Sequence, residues 1–206
     1  IDKLSTVYNF NLAKFNEAGY GKNIKIVDEE YRGFNKKNDE FDISDKKDTL
    51  IKSCILFSGI KKNYKSIKSI NEKAYHNPLM ITVANTVNIK NADLKLYFRT
   101  LIEVAKEKPS NFELLKQELI QKLFNNKEYI FGDEEINNSF LDSLENISYE
   151  DVLKNVFNSN STGTIECKKT ASKDEILFKI KTSSESSYFG LLKISDISSW
   201  SNGILY

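Results

Sequence analysis

Apolar residues recur along this chain in two rhythms, every three or four positions through most of its length and every second position near its end. The change predicts helices followed by strands. Leu50, Cys54, Phe57, Ile60, Tyr64 and Ile67 repeat at helical spacing from Ser44 onward, which predicts a long amphipathic helix ending near Asn71. LMITVA (79–84) interrupts that rhythm with a near-continuous apolar, partly β-branched run behind Pro78. Such a run predicts a strand covered on both faces, with the proline's missing N–H harmless at its start. DLKLYFRTLIEVAKE returns to helical spacing, with Leu94, Phe98, Leu101, Ile102 and Ala105 in one stripe and Asn91 or Asp93 as its cap. Strand, polar loop and helix make half of a βαβ unit.

Pro109, Ser110 and Glu113 open a further helix, FELLKQELIQKLF, in capping-box spacing. EEINNSFLDSL and YEDVLKNVF predict two short helices, the second headed by Ser148 and Asp151 in the same spacing. SNSTG (159–163) ends the helical region. TGTIECKK and EILFKIKTS then alternate apolar with polar across TASKD and predict a β-hairpin, and YFGLLKISDISSW predicts one more buried strand. Toward the amino terminus, residues 5–20 predict a short helix and IKIV (24–27) a brief strand. The polar EEYRGFNKKNDEFDISDKK predicts a surface loop.

Composition narrows the class. With 206 residues, 40% of them hydrophobic and 12% aromatic, the chain is long enough for one domain with a real core. Thirty basic against 29 acidic residues leave a net charge of +1, so any charged function has to be local. No run of about 18 apolar residues and no signal-type leader is present, and we expect a cytoplasmic protein with no membrane role. Cys54 and Cys167 are far apart in apolar contexts, which predicts reduced core thiols. The chain starts without methionine and stops at the apolar SWSNGILY, so we expect a piece of a longer polypeptide.

Two stretches imitate nucleotide-binding motifs and fail on physical grounds. Gly59-Ile-Lys-Lys-Asn-Tyr-Lys65-Ser66 has Tyr64 where a phosphate loop needs glycine, and it falls inside the long helix. In YIFGDEE (129–135), Gly132 interrupts the strand, and Asp133, Glu134 and Glu135 suit the negative first turn of a helix. His76 is the single histidine and precedes a turn, so neither a histidine-rich zinc site nor a catalytic triad is indicated. Arg32 and Arg99 are the only arginines. Lys61, Lys65 and Lys68 form a stripe on the long helix, and Lys168, Lys169, Lys173, Lys179 and Lys181 gather on the hairpin. Either group can track phosphates or simply solvate a surface. Residues 133–151 hold seven acidic and no basic side chains, which disfavours nucleic acid there.

Asn85, Thr86 and Asn88 close the apolar run just before a helix. They cap that helix and shape its turn, or they face a ligand beyond the strand's carboxyl end, where α/β sheets bind their partners. NPLMITVANTVN followed by DLKLYFRTLIEVAKE resembles the opening strand and helix of the second RecA-like motor domain in the restriction subunit of type III restriction-modification enzymes and related superfamily-two DEAD/DEAH-box helicases. YFGLLKISDISSW resembles a later segment of the same region, and YNFNLAKFNEAGYGKNIKIV the piece joining the two motor domains.

The resemblance implies an α/β fold, a partial RecA-like domain with parallel strands, a helical insertion and a β-hairpin. Residues 1–74 are then connector and long helix, 75–107 core strand and helix, 108–162 the insertion, and 163–206 hairpin and core strand. It further implies a parent that is a DNA translocase using ATP and magnesium, with a first motor domain in the same chain, a nuclease further on and a methyltransferase subunit as partner. Asn85, Thr86 and Asn88, with Lys168 and Lys169, are the expected nucleic-acid contacts. The segment itself carries no ATPase motif, holds no cofactor and is expected to be inactive alone. A different class remains open: an independent interaction module that docks a protein through acidic helices 133–157 or the lysine-bearing hairpin.

Overall fold

A computed structural model describes residues 43–70, 77–83, 93–125 and 138–195, together with Lys14 and Ile197. Five helices and a three-stranded antiparallel sheet account for most of them: α1 (Ile43–Ile70), α2 (Asp93–Lys106), α3 (Phe112–Asn125), α4 (Asn138–Glu145), α5 (Tyr149–Val156), β1 (Thr164–Lys169), β2 (Glu175–Lys181) and β3 (Ser186–Lys193). The class is mixed helix and sheet, and the sheet runs in chain order β1-β2-β3. The expected helix at 5–20, the strand at 24–27, His76 and the 133–135 acidic triplet lie outside the described residues.

The long helix appears where its period placed it, but its burial is divided along its length. Leu50, Ile51, Cys54, Ile55 and Ser58 are buried among α2, α3, α4 and α5, whereas Ile60 and Ile67, expected on the apolar face, are exposed. Ser58 tolerates burial because its hydroxyl donates to the Cys54 carbonyl one turn back, at 2.9 Å. Gly59 faces α4 at close range. A Cβ at that position would run into the Leu144 side chain, itself fully buried.

Helix α2 carries two apolar flanks because it lies between the two layers. Leu101, Val104 and Ala105 join the helical core, while Phe98, with Leu94 and Ile102 beside it, packs on the sheet residues Ile176 and Phe178. The Phe98 and Phe178 rings sit 4.4 Å apart at a 38° tilt. A single predicted stripe therefore widens into two contacts. Helix α3 begins at Phe112, and its expected capping box is not used as such. The Glu113 carboxylate instead takes Lys108 and Lys116, each at 2.7 Å, and these hydrogen bonds hold it below the usual carboxylate range. Helix α5 does carry the expected box, with Ser148 and Asp151 each accepting the other's backbone N–H at 3.1 Å.

One expected strand is not shown among the described residues. Residues 77–83 adopt no strand, and Leu79, Ile81 and Val83 are 77%, 74% and 89% exposed. A run of β-branched and apolar residues needs neighbours on both sides to become a central strand, and none of the described elements supplies them. Met80 packs against the helical core, and Thr82 shares a hydrogen bond with Tyr97 of α2, so the segment touches the body along one side only. The described sheet likewise contains no parallel pair.

The two layers are joined at the carboxyl end of α2, where helix geometry leaves backbone carbonyls unsatisfied. The Tyr149 hydroxyl donates to the Val104 carbonyl at 2.6 Å, and the Gly163 N–H donates to the Ala105 carbonyl at 2.9 Å. Gly163 has no room for a side chain, since a Cβ would press on Ile180 and the Lys181 carbonyl. Burial pushes the Tyr149 hydroxyl up to about 12, so it donates throughout the ordinary pH range. Tyr149→Phe keeps the ring and orphans the carbonyl. It should lower unfolding free energy by about 1–2 kcal/mol in urea denaturation, and an unchanged midpoint would show that the bond contributes nothing net.

Candidate nucleic-acid interface

The sheet presents its inner face to the helices and its outer face to solvent. Alternation along β2 buries Ile176, Phe178 and Ile180 and turns Leu177, Lys179 and Lys181 outward. On β1 the register sets Glu166 beside Lys179 and Lys168 beside Leu177, while Lys169 stands opposite the buried Ile176. Lys168 and Lys169, expected to act together, are thus turned to opposite faces by adjacency in a strand. Lys168 is the one on the open face.

Strand β3 adds an irregularity that decides which of its residues join that face. Its pairing with β2 shifts register between Phe178 and Lys179, so that Leu191 lies opposite Leu177, Gly190 opposite Phe178 and Tyr188 opposite Lys179. Phe189 is the extra residue, and it turns inward onto Phe157, with ring centroids 5.1 Å apart. Tyr188 and Leu191, three apart in sequence, therefore share the outer face, where they are 47% and 57% exposed. Read at strict period two they fall on opposite sides, which is why the segment looked like a buried strand. A bulge is the missing signal, and Gly190 is its only trace in the sequence.

Charge on this face is uneven. The Glu166 carboxylate pairs with Lys179 at 2.7 Å and Lys181 at 3.5 Å. The hydrogen bond from Lys179 holds Glu166 below its ordinary range, and the same bond raises Lys179. Lys168 reaches from β1 across β2, and its Nζ lies 5.9 Å from the centroid of the Tyr188 ring on β3. Cys167, expected in a core, is exposed on β1, whereas Cys54 is buried with its thiol pushed up to about 12. Asn85, Thr86 and Asn88 lie outside the described residues.

The lysine stripe of α1 serves a different purpose. Lys61 donates to the Asn155 carbonyl at 2.7 Å and Lys65 to the Asn155 side-chain oxygen at 3.3 Å, both at the negative end of the α5 dipole. Burial first, then the neighbouring Lys65, lowers the Lys61 pKa. Lys68 lies over its own helix's Tyr64 ring. The phosphate-loop look-alike at Gly59–Ser66 sits wholly within α1, where helical bonding occupies its backbone N–H groups. Among the described residues no cluster of three or more histidine, cysteine or carboxylate side chains is arranged for a metal, and no helix is long and apolar enough to cross a membrane. No family model, curated protein or solved structure matches this chain.

The α5 box gives a pH prediction. Burial raises the Asp151 pKa, but the Ser148 backbone hydrogen bond and Lys62 at 3.3 Å outweigh it, so the net shift is downward from 3.8. A depressed carboxylate stabilises the fold fully above its unfolded value and loses that contribution as pH falls through the folded one. Asp151→Asn should therefore be less stable than the parent protein at pH 7, with the gap closing below about pH 4. Urea denaturation at pH 7, 5 and 3 measures it, and a gap independent of pH contradicts the assignment.

Proposed function

We propose that this chain is a segment of a cytoplasmic ATP-dependent DNA translocase of superfamily two, of the kind found in the restriction subunit of type III restriction-modification enzymes. It supplies part of the second RecA-like motor domain. The observation that carries the reading is the solvent-exposed apolar run at Leu79, Ile81 and Val83, which precedes the amphipathic α2 in the sequence. Each such side chain gains roughly 2 kcal/mol on burial, so leaving three in water is costly unless a further surface covers them. In a RecA-like domain that surface is the parallel sheet, and the strand-then-helix order is the half βαβ unit the sequence resembles.

On this reading ATP and magnesium belong to the first motor domain and its interface with the second. The residues of this segment grip the DNA backbone as the cleft between the domains closes. Asn85, Thr86 and Asn88 contact the backbone at the strand's polar end, and Lys168 adds charge from the sheet. A nuclease and a methyltransferase subunit complete the assembly. The rival reading, a self-contained interaction module, draws on the continuous core shared by all five helices.

Salt-titrated binding to duplex DNA separates the two. The motor reading expects weak, sequence-independent association whose logarithm falls linearly with the logarithm of salt concentration. A flat null with several unrelated duplexes at about 50 mM salt defeats it and favours the module.

A further inference from the structure

We propose that the outer face of the β1-β2-β3 sheet is a binding platform for single-stranded DNA, with Tyr188 stacking on a base and Lys168 holding an adjacent phosphate. The proposal rests on the DNA-handling reading above and goes beyond it by assigning a strand state and a residue that reads it. Three observations converge. Tyr188 is a half-exposed aromatic on the edge strand β3, opposite Lys179 and beside the outward Leu177–Leu191 pair. Lys168 already places its ammonium near the face of that ring, so a phosphate drawn to the lysine brings its base beside the tyrosine. The face carries Lys168, Lys179, Lys181 and Lys193 against Glu166 and Glu175, an excess of positive charge on a chain that is almost neutral overall.

The geometry selects single strands over duplex. Adjacent strands lie about 4.8 Å apart, so three of them span about 10 Å, the footprint of one or two splayed nucleotides. In a duplex the base faces are stacked on one another and unavailable to a ring on a flat sheet, whereas unpaired bases offer them freely. A protein partner fits less well. The apolar centre of this face is small and ringed by lysines, and lysine is depleted at protein-binding centres. Phosphates answer the lysines, and a base answers Tyr188 and its leucine neighbours.

The test uses the full chain and a labelled oligothymidine of about 12 nucleotides, followed by fluorescence anisotropy at several salt concentrations. Tyr188→Phe should bind within about twofold of the parent protein, and Tyr188→Thr about tenfold more weakly, the range expected for one lost stacking contact. Lys168→Gln should lower the slope of log affinity against log salt by about 0.7, the signature of one phosphate contact to a single strand. Circular dichroism checks folding. Should Tyr188→Thr unfold, Lys168→Glu, on an exposed strand position, replaces it and is expected to weaken binding by more than tenfold. Equal binding by the parent protein and the folded variants overturns the platform, as does oligothymidine binding no tighter than that of a duplex of equal length. If duplex association persists while Tyr188 proves indifferent, only the platform falls. Loss of all DNA association removes the motor reading with it.

Discussion

Leu50, Ile51, Cys54 and Ile55, buried in the first half of α1, are the side chains on which the other helices assemble. Helices α2, α3, α4 and α5 all contact α1, while among themselves only α3 and α4 pack extensively. Each full burial of a leucine or isoleucine contributes roughly 2 kcal/mol, so this short stretch anchors a large share of the hydrophobic stabilisation of the helical layer. Close approach at Gly59 lets Leu144 enter the same core. Beyond Gly59 α1 buries no further side chain, and its polar residues hold the neighbouring helices instead, Asn63 bonding Ser143 of α4 and Lys61 and Lys65 the end of α5. One helix thus acts as a core at one end and as an electrostatic clamp at the other.

The sheet is fastened to that assembly through α2. Its Ala105 carbonyl receives the first backbone bond of the sheet region, from Gly163, and its Phe98 ring meets Phe178 on β2. Phe157, just past α5, closes the other side against Phe189. These contacts cover the inner face, and among the described residues the outward side chains of β1, β2 and β3 meet chiefly one another, as Glu166 meets Lys179 and Lys168 meets Tyr188. The open face follows from two-layer packing, in which a three-stranded sheet needs only one covered side to be stable.

Much of this architecture was legible in the sequence, and the failures share a cause. All five helices and the β1-β2 hairpin follow from periodicity, and the α5 box from the Ser148 and Asp151 spacing, because each is a local property. What periodicity cannot report is which neighbours a face meets. Ile60 and Ile67 continue the spacing from Leu50, yet the face that α1 buries, through Leu50, Ile51, Cys54, Ile55 and Ser58, lies on the other side of the helix. LMITVA has a core strand's composition without a sheet around it in the described residues. Lys168 and Lys169 read as one basic patch until strand alternation separates them. Tyr188 was hidden because a single extra residue, Phe189, reverses the facing of everything before it. The candidate site was therefore half visible: the lysines by composition, the aromatic only by register.

Near neutrality overall does not argue against a nucleic-acid face, since charge acts locally in salt. The screening length is about 8–10 Å at ordinary ionic strength, so a bound strand responds to side chains within one or two residues of it and hardly to the rest. Here the balance differs between the layers. The helices expose both signs, Asp142, Glu145 and Glu150 beside Lys62, Lys65, Lys106 and Lys154, while the outer face of the sheet carries four lysines against Glu166 and Glu175. Glu166 partly neutralises Lys179 and Lys181, which concentrates the uncompensated attraction around Lys168 and the Tyr188 ring beneath it. A sum of +1 over 206 residues conceals that arrangement, and the register of three short strands is what creates it.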